Sequence, residues 1–130
     1  KKVYKEVKKS GFKESRKAKT GFYNFADLDD DFISIHHYLK WYKFGFTRLF
    51  DNLSIEIRNK RINRDQALKI IFSNKAMRPN GDIKKFCSFT KISVREFNKI
   101  IEKYRNRLIW KKNKKGKWII KNFILDKYSW

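Results

Sequence analysis

Between Asp27 and Ile62 the apolar residues Ile35, Leu39, Tyr42, Phe46, Leu49, Phe50, Leu53 and Ile57 recur at steps of three and four, the spacing that lines up one side of a helix. The pattern predicts one long central amphipathic helix, and the rest of the chain must cover its stripe. Asp29, Asp30 and Asp31 precede it, where carboxylates cap free N–H groups and favour the positive end of a helix dipole. Arg58, Lys60 and Arg61 close it with cations at the negative end. Gly45 falls mid-pattern; glycine inside a helix costs about 1 kcal/mol relative to alanine, so the position predicts a kink or a close approach to the backbone. Away from the stripe, His36, Lys40, Lys43, Thr47, Asp51 and Ser54 share the other face. Its donors could meet an anion; a solvated surface is the competing reading.

The length of 130 residues suits one domain and one core. Twelve Phe, six Tyr and four Trp put the chain outside the disordered class. A formal net charge of +21 invites a nucleic-acid or anionic-membrane partner through phosphate neutralisation. Of the 34 basic residues, however, 25 are Lys and only 9 Arg, alongside 15 Ile, 10 Asn and 12 Phe. That joint bias is expected of an AT-rich coding sequence, and Arg, not Lys, is the fork preferred for base and phosphate recognition. Cys87, the only cysteine, can form neither an internal disulfide nor a structural zinc site, and its apolar context reads as a buried thiol of a cytoplasmic protein. No apolar run is long enough for a transmembrane helix, and the basic N-terminus lacks the apolar core of a signal peptide. A start at Lys1 without Met suggests a piece of something longer.

Residues 1–19 read as a basic, weakly ordered lead-in, with a short amphipathic turn over Val3, Tyr4 and Val7 stopped by Ser10 and Gly11. Thr20 to Phe25 approach the central helix, with Phe22 and Phe25 expected in the core. Asn63 with Gln66 forms a capping box for a second helix over 63–73. Asp82, after Pro79, Asn80 and Gly81, is expected to cap a third, and Ser93 with Glu96 to open a fourth. Leu108–Trp110 and Trp118–Ile120 flank a lysine-rich turn containing Gly116, the pattern of a small β-hairpin. The final residues, with Phe123, Tyr128 and Trp130, are expected to fold back on the helices. The fold class is therefore mainly α, about four helices with a C-terminal hairpin.

The sequence offers little catalytic apparatus. His36 and His37 are adjacent, so a helix points them to different sides and they cannot chelate one metal together. His36 is a possible acid, base or anion donor, set against a structural hydrogen-bonding role. Arg48, Asp51, Asn52, Glu56 and Arg58 form a charged run that reads as surface pairs, with Arg48 reaching Asp51 or Asn52. Glycine-rich phosphate loops and G-x-S-x-G elbows are absent. The third and fourth helices have the spacing of a helix-turn-helix, so a basic nucleic-acid-binding module is an alternative. Against it, the second of these helices mixes Glu96 and Glu102 with its cations and shows no stripe of Arg, Asn and Gln.

At HHYLKWYKFGFTRLFDNLSIEIRNKRINRDQALKII, DIKKFCSFTKISVREFNKIIEKYRN and IWKKNKKGKWIIKNFILDKYSW, the chain resembles the C-terminal part of the N-acetyl sugar amidotransferases of bacterial surface-polysaccharide biosynthesis. The resemblance runs from about Thr20 to Trp130, so residues 20–130 would be the helical C-terminal domain of a larger amidotransferase. It implies an ATP pyrophosphatase of the PP-loop type that converts a nucleotide-linked sugar's N-acetyl group to acetamidino. ATP, with Mg, would adenylate the amide oxygen, and ammonia from a glutaminase and channel-forming pair would displace AMP. The SGG-x-DS loop of such enzymes is missing from these residues, so the chain alone is expected to hold no cofactor and to be inactive. Under this resemblance His36, Lys40, Lys43 and Arg48 are the candidates for anion contacts with ATP or the sugar nucleotide. Apolar surface left without the PP-loop domain could make the chain dimerise. A third possibility is a scaffold in lipopolysaccharide assembly with no contact to substrate.

Overall fold

A computed structural model of the protein describes residues 2–74 and 78–121. It contains helices α1 (Lys2–Lys9), α2 (Ile33–Phe44), α3 (Arg48–Arg58), α4 (Arg64–Ser73), α5 (Asn80–Thr90) and α6 (Val94–Lys103), then strands β1 (Trp110–Lys112) and β2 (Trp118–Ile120). The class is mainly α with a C-terminal hairpin, as the sequence indicates, with six helices among the described residues instead of about four. The expected return of Phe123, Tyr128 and Trp130 onto the helices lies outside the described residues.

The expected single central helix is two. Gly45 caps α2 in the left-handed conformation with φ of 72°, and its N–H donates to the Trp41 carbonyl at 2.9 Å. A Cβ there would stand 2.5 Å from Ile120 Cδ1 and 3.3 Å from Ile109 Cδ1. The chain turns at Gly45 because only glycine enters the left-handed region without penalty, and because the hairpin packs against the turn where a side chain would project. The start also differs: Asp30 accepts from the Phe32 N–H at 2.7 Å, ahead of the helix, and no side chain caps α2 itself.

Breaking the stripe divides its residues between two cores. Ile35, Trp41 and Tyr42 of α2 pack with Ile83 and Cys87 of α5, Phe97 and Ile101 of α6, and Trp110 of β1. Leu49 and Leu53 of α3 pack with Ala67 and Ile71 of α4. Leu53 and Ile83, each 1% exposed, are the most deeply buried large side chains among the described residues; truncating either to Ala should cost about 2–5 kcal/mol. Cys87 is a buried free thiol inside the first core.

Local signals place the remaining helices. Both capping boxes form: Asn63 and Gln66 exchange side-chain and backbone hydrogen bonds at α4, as do Ser93 and Glu96 at α6. The Glu96 carboxyl sits below its usual range because Ser93 donates to it from backbone and side chain. Asp82 does not cap α5, which begins earlier with Pro79 at its N-cap; it lies in the first turn and accepts from the Ser34 hydroxyl, tying α5 to α2. The short turn expected near Val3 is α1. Phe22 and Phe25, expected in the core, are exposed and line up with Tyr23 and Tyr4 in a surface row of rings.

The hairpin is antiparallel, pairing Trp110 with Ile120, Lys111 with Ile119 and Lys112 with Trp118. Asn113 shapes its turn by accepting from the N–H groups of Lys115 and Lys117, each at 2.9 Å, and Gly116 takes a φ of 73°. Trp110 Nε1 and the Asn106 N–H both donate to the Tyr42 carbonyl, at 3.0 and 3.1 Å, satisfying an acceptor freed by the end of α2. Arg105 locks the junction. Its guanidinium carbon lies 4.1 Å from the Tyr42 ring centre, 5.0 Å from Trp110 and 5.1 Å from Trp118. Two of its nitrogens donate to the Glu102 carboxylate, which is held below its usual pKa range chiefly by those bonds. A buried guanidinium is tolerable here because carboxylate and ring faces replace its hydration.

Candidate functional site

Part of the charged run on α3 turns inward, while Arg58 stays on the surface. Asn52 and Glu56 fall beside Leu49 and Leu53, and both are buried, at 3% and 6% exposure. They receive the segment that precedes α2. The Phe22 N–H donates to Asn52 Oδ1 at 3.0 Å, and the Tyr23 hydroxyl donates to Glu56 Oε1 at 2.5 Å. Arg61 donates to the same carboxylate at 2.6 Å. Burial first, then the bond to Glu56, pushes the Tyr23 hydroxyl up to about 12, so it remains a donor throughout the neutral range. Close approach is possible because Gly21 has no side chain: a Cβ would lie 2.2 Å from Asn52 Oδ1 and 2.9 Å from Arg48 Cγ.

This docking sets Asp27 between α2 and α3. Asp27 has a φ of 58°, a left-handed backbone that Asp tolerates better than most residues. Its Oδ2 accepts from the Thr20 hydroxyl and lies 3.8 Å from His37 Nε2 and 3.9 Å from Arg48 Nε. Burial holds the His37 pKa below its ordinary 6.5 despite Asp27, with Arg48, His36 and Lys40 acting in the same direction as burial. The imidazole is therefore neutral at pH 7. His37 Nδ1 and Arg48 Nε are both buried without a hydrogen-bond partner among the described residues. Buried polar atoms of this kind call for a water or a ligand oxygen. The corner thus combines one carboxylate, a neutral imidazole, a hydroxyl and a guanidinium with donor capacity to spare.

Of the four candidates for anion contact, two are held by carboxylates. Lys40 pairs with Asp51 and so bridges α2 to α3 across the Gly45 turn, its ammonium 4.6 Å from the Phe46 ring centre. Arg48 faces Asp27 rather than pairing along its own helix with Asp51 or Asn52. His36 and Lys43 are exposed on α2, and among the described residues neither forms an ion pair. Thr47, expected on the same polar face, is buried as the residue preceding α3, where it makes no side-chain cap. The structure thus gathers Lys40 and Arg48 near the α2–α3 corner and leaves His36 and Lys43 on the outer surface.

Reading the sequence for single motifs misses Thr20, Asp27, His37, Asn52 and Glu56. The signal for the last two is spacing: 49, 52, 53 and 56 share one helical face, so a polar pair set among core leucines implies a buried partner. Thr20 and Asp27 meet only through tertiary docking. Elsewhere, α5 and α6 are joined by Lys91, Ile92 and Ser93, with Lys91 left-handed at φ of 56°. Phe89 and Ile100 are exposed on these helices, and the Glu96 carboxylate caps the second of them. Among the described residues no group of three His, Cys, Asp or Glu is placed to hold a metal ion, and no helix is long and apolar enough to cross a membrane.

The family model described as LPS biosynthesis protein WbpG-like, C-terminal domain, matches residues 12–124. No curated protein and no solved structure matches the chain. The match takes in every element from α2 to β2, the Asp27 corner and the hairpin.

Proposed function

The chain belongs to the family of WbpG-like C-terminal domains of LPS biosynthesis proteins, and from that premise we propose that it serves an amidotransferase acting on a nucleotide-linked N-acetyl sugar. The reaction replaces the amide oxygen of the N-acetyl group with nitrogen, giving an acetamidino group, and consumes ATP and ammonia. The observation that supports this reading is the family match across residues 12–124, in agreement with the resemblance of its longest sequence strings to that enzyme class.

The residues of this chain do not fit ATP and Mg by themselves. It has no glycine-rich loop to cradle a pyrophosphate, and the described residues gather no carboxylate cluster for a divalent ion. ATP and Mg would be held by a PP-loop nucleotide domain, ammonia would come from glutaminase and channel subunits, and this domain alone would be inactive. Its part is to bind and orient. His36 and Lys43, outward on α2 and without carboxylate partners among the described residues, would meet substrate phosphates directly. Lys40 and Arg48 are positioning residues that hold the α2–α3 corner.

The test is reconstitution. The complete enzyme, with its PP-loop domain and an ammonia source, is incubated with ATP, Mg and UDP-linked N-acetyl sugars, and products are read by mass spectrometry. The expected product has the mass of the substrate with oxygen replaced by NH, and it is missing when the PP-loop domain is omitted. A complete assembly that consumes ATP without forming this product from any of the sugars would overturn the reading.

A further inference from the structure

The C-terminal hairpin carries an unbalanced charge that the proposed chemistry does not use. Between Glu102 and Asp126 the sequence has nine Lys and Arg and no acid. Arg105 alone among these is buried and paired with a carboxylate. Lys111, Lys112, Lys114, Lys115 and Lys117 are all exposed on the strands and turn, and none forms an ion pair among the described residues. Exposed apolar residues neighbour them in the chain. Leu108 is 87% exposed, and Ile119, 42% exposed, lies directly across the ladder from Lys111, so the two share one face of the hairpin. The opposite face, which carries Lys112 beside Trp118, is anchored through buried Trp110 and the Arg105 junction. The lysines are therefore presented on a braced element.

We propose that this hairpin, residues 107–121, docks the protein on the surface of an anionic phospholipid bilayer. Clustered lysines gain from the negative potential of such a surface, and aliphatic side chains between them enter the headgroup boundary while the ammonium groups remain at the phosphates. Nucleic acid fits the same charge less well. Base and phosphate recognition favours arginine forks and open aromatic faces, whereas Trp110 is buried and the Trp118 ring already lies against Arg105, Arg107 and Lys112, at 5.1, 4.4 and 5.2 Å. The inference is independent of the amidotransferase reading, since it concerns where the protein sits and not what it converts.

Vesicle cosedimentation of the intact protein tests it, using phosphatidylcholine vesicles with and without about 30 mol% phosphatidylglycerol. The wild type should partition to the anionic vesicles. Changing Lys111, Lys112, Lys114, Lys115 and Lys117 to Gln should weaken that partitioning about tenfold or more, whereas the same change at exposed Lys5, Lys69, Lys84, Lys85 and Lys99 should weaken it about twofold at most. Leu108→Ser with Ile119→Ser, which leaves charge untouched, should also weaken it several-fold, by roughly what the loss of two aliphatic anchors predicts. Lys114→Glu with Lys115→Glu, confined to the turn, gives the same loss where the larger variant unfolds by circular dichroism. Equal losses from hairpin and control variants, no preference for anionic vesicles, or hairpin-dependent oligonucleotide binding with unchanged vesicle binding would each overturn the proposal.

Discussion

Replacing Gly45 with Ala distinguishes a broken central helix from a continuous one by the sign of the effect. Inside a continuous helix the change would stabilise the protein by about 1 kcal/mol. In the structure Gly45 has a φ of 72°, and an L residue there costs about 1–2 kcal/mol. The new methyl would also stand 2.5 Å from Ile120 Cδ1 and 3.3 Å from Ile109 Cδ1. Both are ends of isoleucine side chains that can shift, so the overpacking should fall near the lower end of its usual range, about 1 kcal/mol. The expected sum is a destabilisation of about 2–3 kcal/mol. Urea denaturation reports it through the fluorescence of Trp41 and Trp110, whose rings pack edge-to-face with centres 5.0 Å apart beside the turn. Ile120→Val removes the nearest methyl, so Gly45→Ala made in that background should be about 1 kcal/mol milder. Stabilisation by Gly45→Ala, or a penalty indifferent to Ile120, would refute the turn and its packing against the hairpin.

Three further outcomes follow from the loop–helix corner and the caps. Asn52→Ala leaves the Phe22 N–H without its acceptor and should destabilise by about 1–3 kcal/mol, with faster proteolysis within residues 15–25 as the local readout. Ser93→Ala, which dismantles the α6 capping box, should lower the denaturation free energy by about 1 kcal/mol. His37 has a folded pKa below 6.5 because burial disfavours its charged form. As pH falls below 6.5 the unfolded chain takes up the proton first, so the His37 contribution to stability is full above that pH and is lost as pH drops toward the depressed folded value. His37→Gln should flatten the change in denaturation midpoint between pH 7.5 and 5.5, measured against wild type; an unchanged slope would mean that His37 is not buried neutral.

What the sequence revealed depended on how local the cause was. The boxes at Asn63/Gln66 and Ser93/Glu96 lie within single turns, and both form. The hairpin followed from two apolar runs around a turn and pairs as its pattern implies. Gly45 was visible as an anomaly, but its consequence depends on Ile109 and Ile120, more than sixty residues away. Periodicity carries through a turn when the residues on either side keep the count, which is why Ile35 and Leu53 fit one stripe yet enter different cores. Asn52 and Glu56 resembled surface polar residues because their partners, the Phe22 N–H and the Tyr23 hydroxyl, arrive from a separate loop. His36 was the more conspicuous histidine on the polar face, while His37, one residue on, turns inward to Asp27.

The measurement that tests the functional account most directly is steady-state kinetics of the proposed amidotransferase, assembled with its PP-loop domain and carrying His36→Ala with Lys43→Ala. These are the outward donors of α2 that lack carboxylate partners among the described residues. Loss of charge-assisted contacts to substrate phosphates should raise KM for ATP or for the sugar nucleotide about tenfold or more, with the denaturation midpoint unchanged. Lys84→Ala, exposed on α5, provides the control for general loss of positive charge. If the double variant keeps the KM values and turnover of wild type, or if Lys84→Ala raises KM equally, the outer face of α2 does not meet the substrate and the account is contradicted.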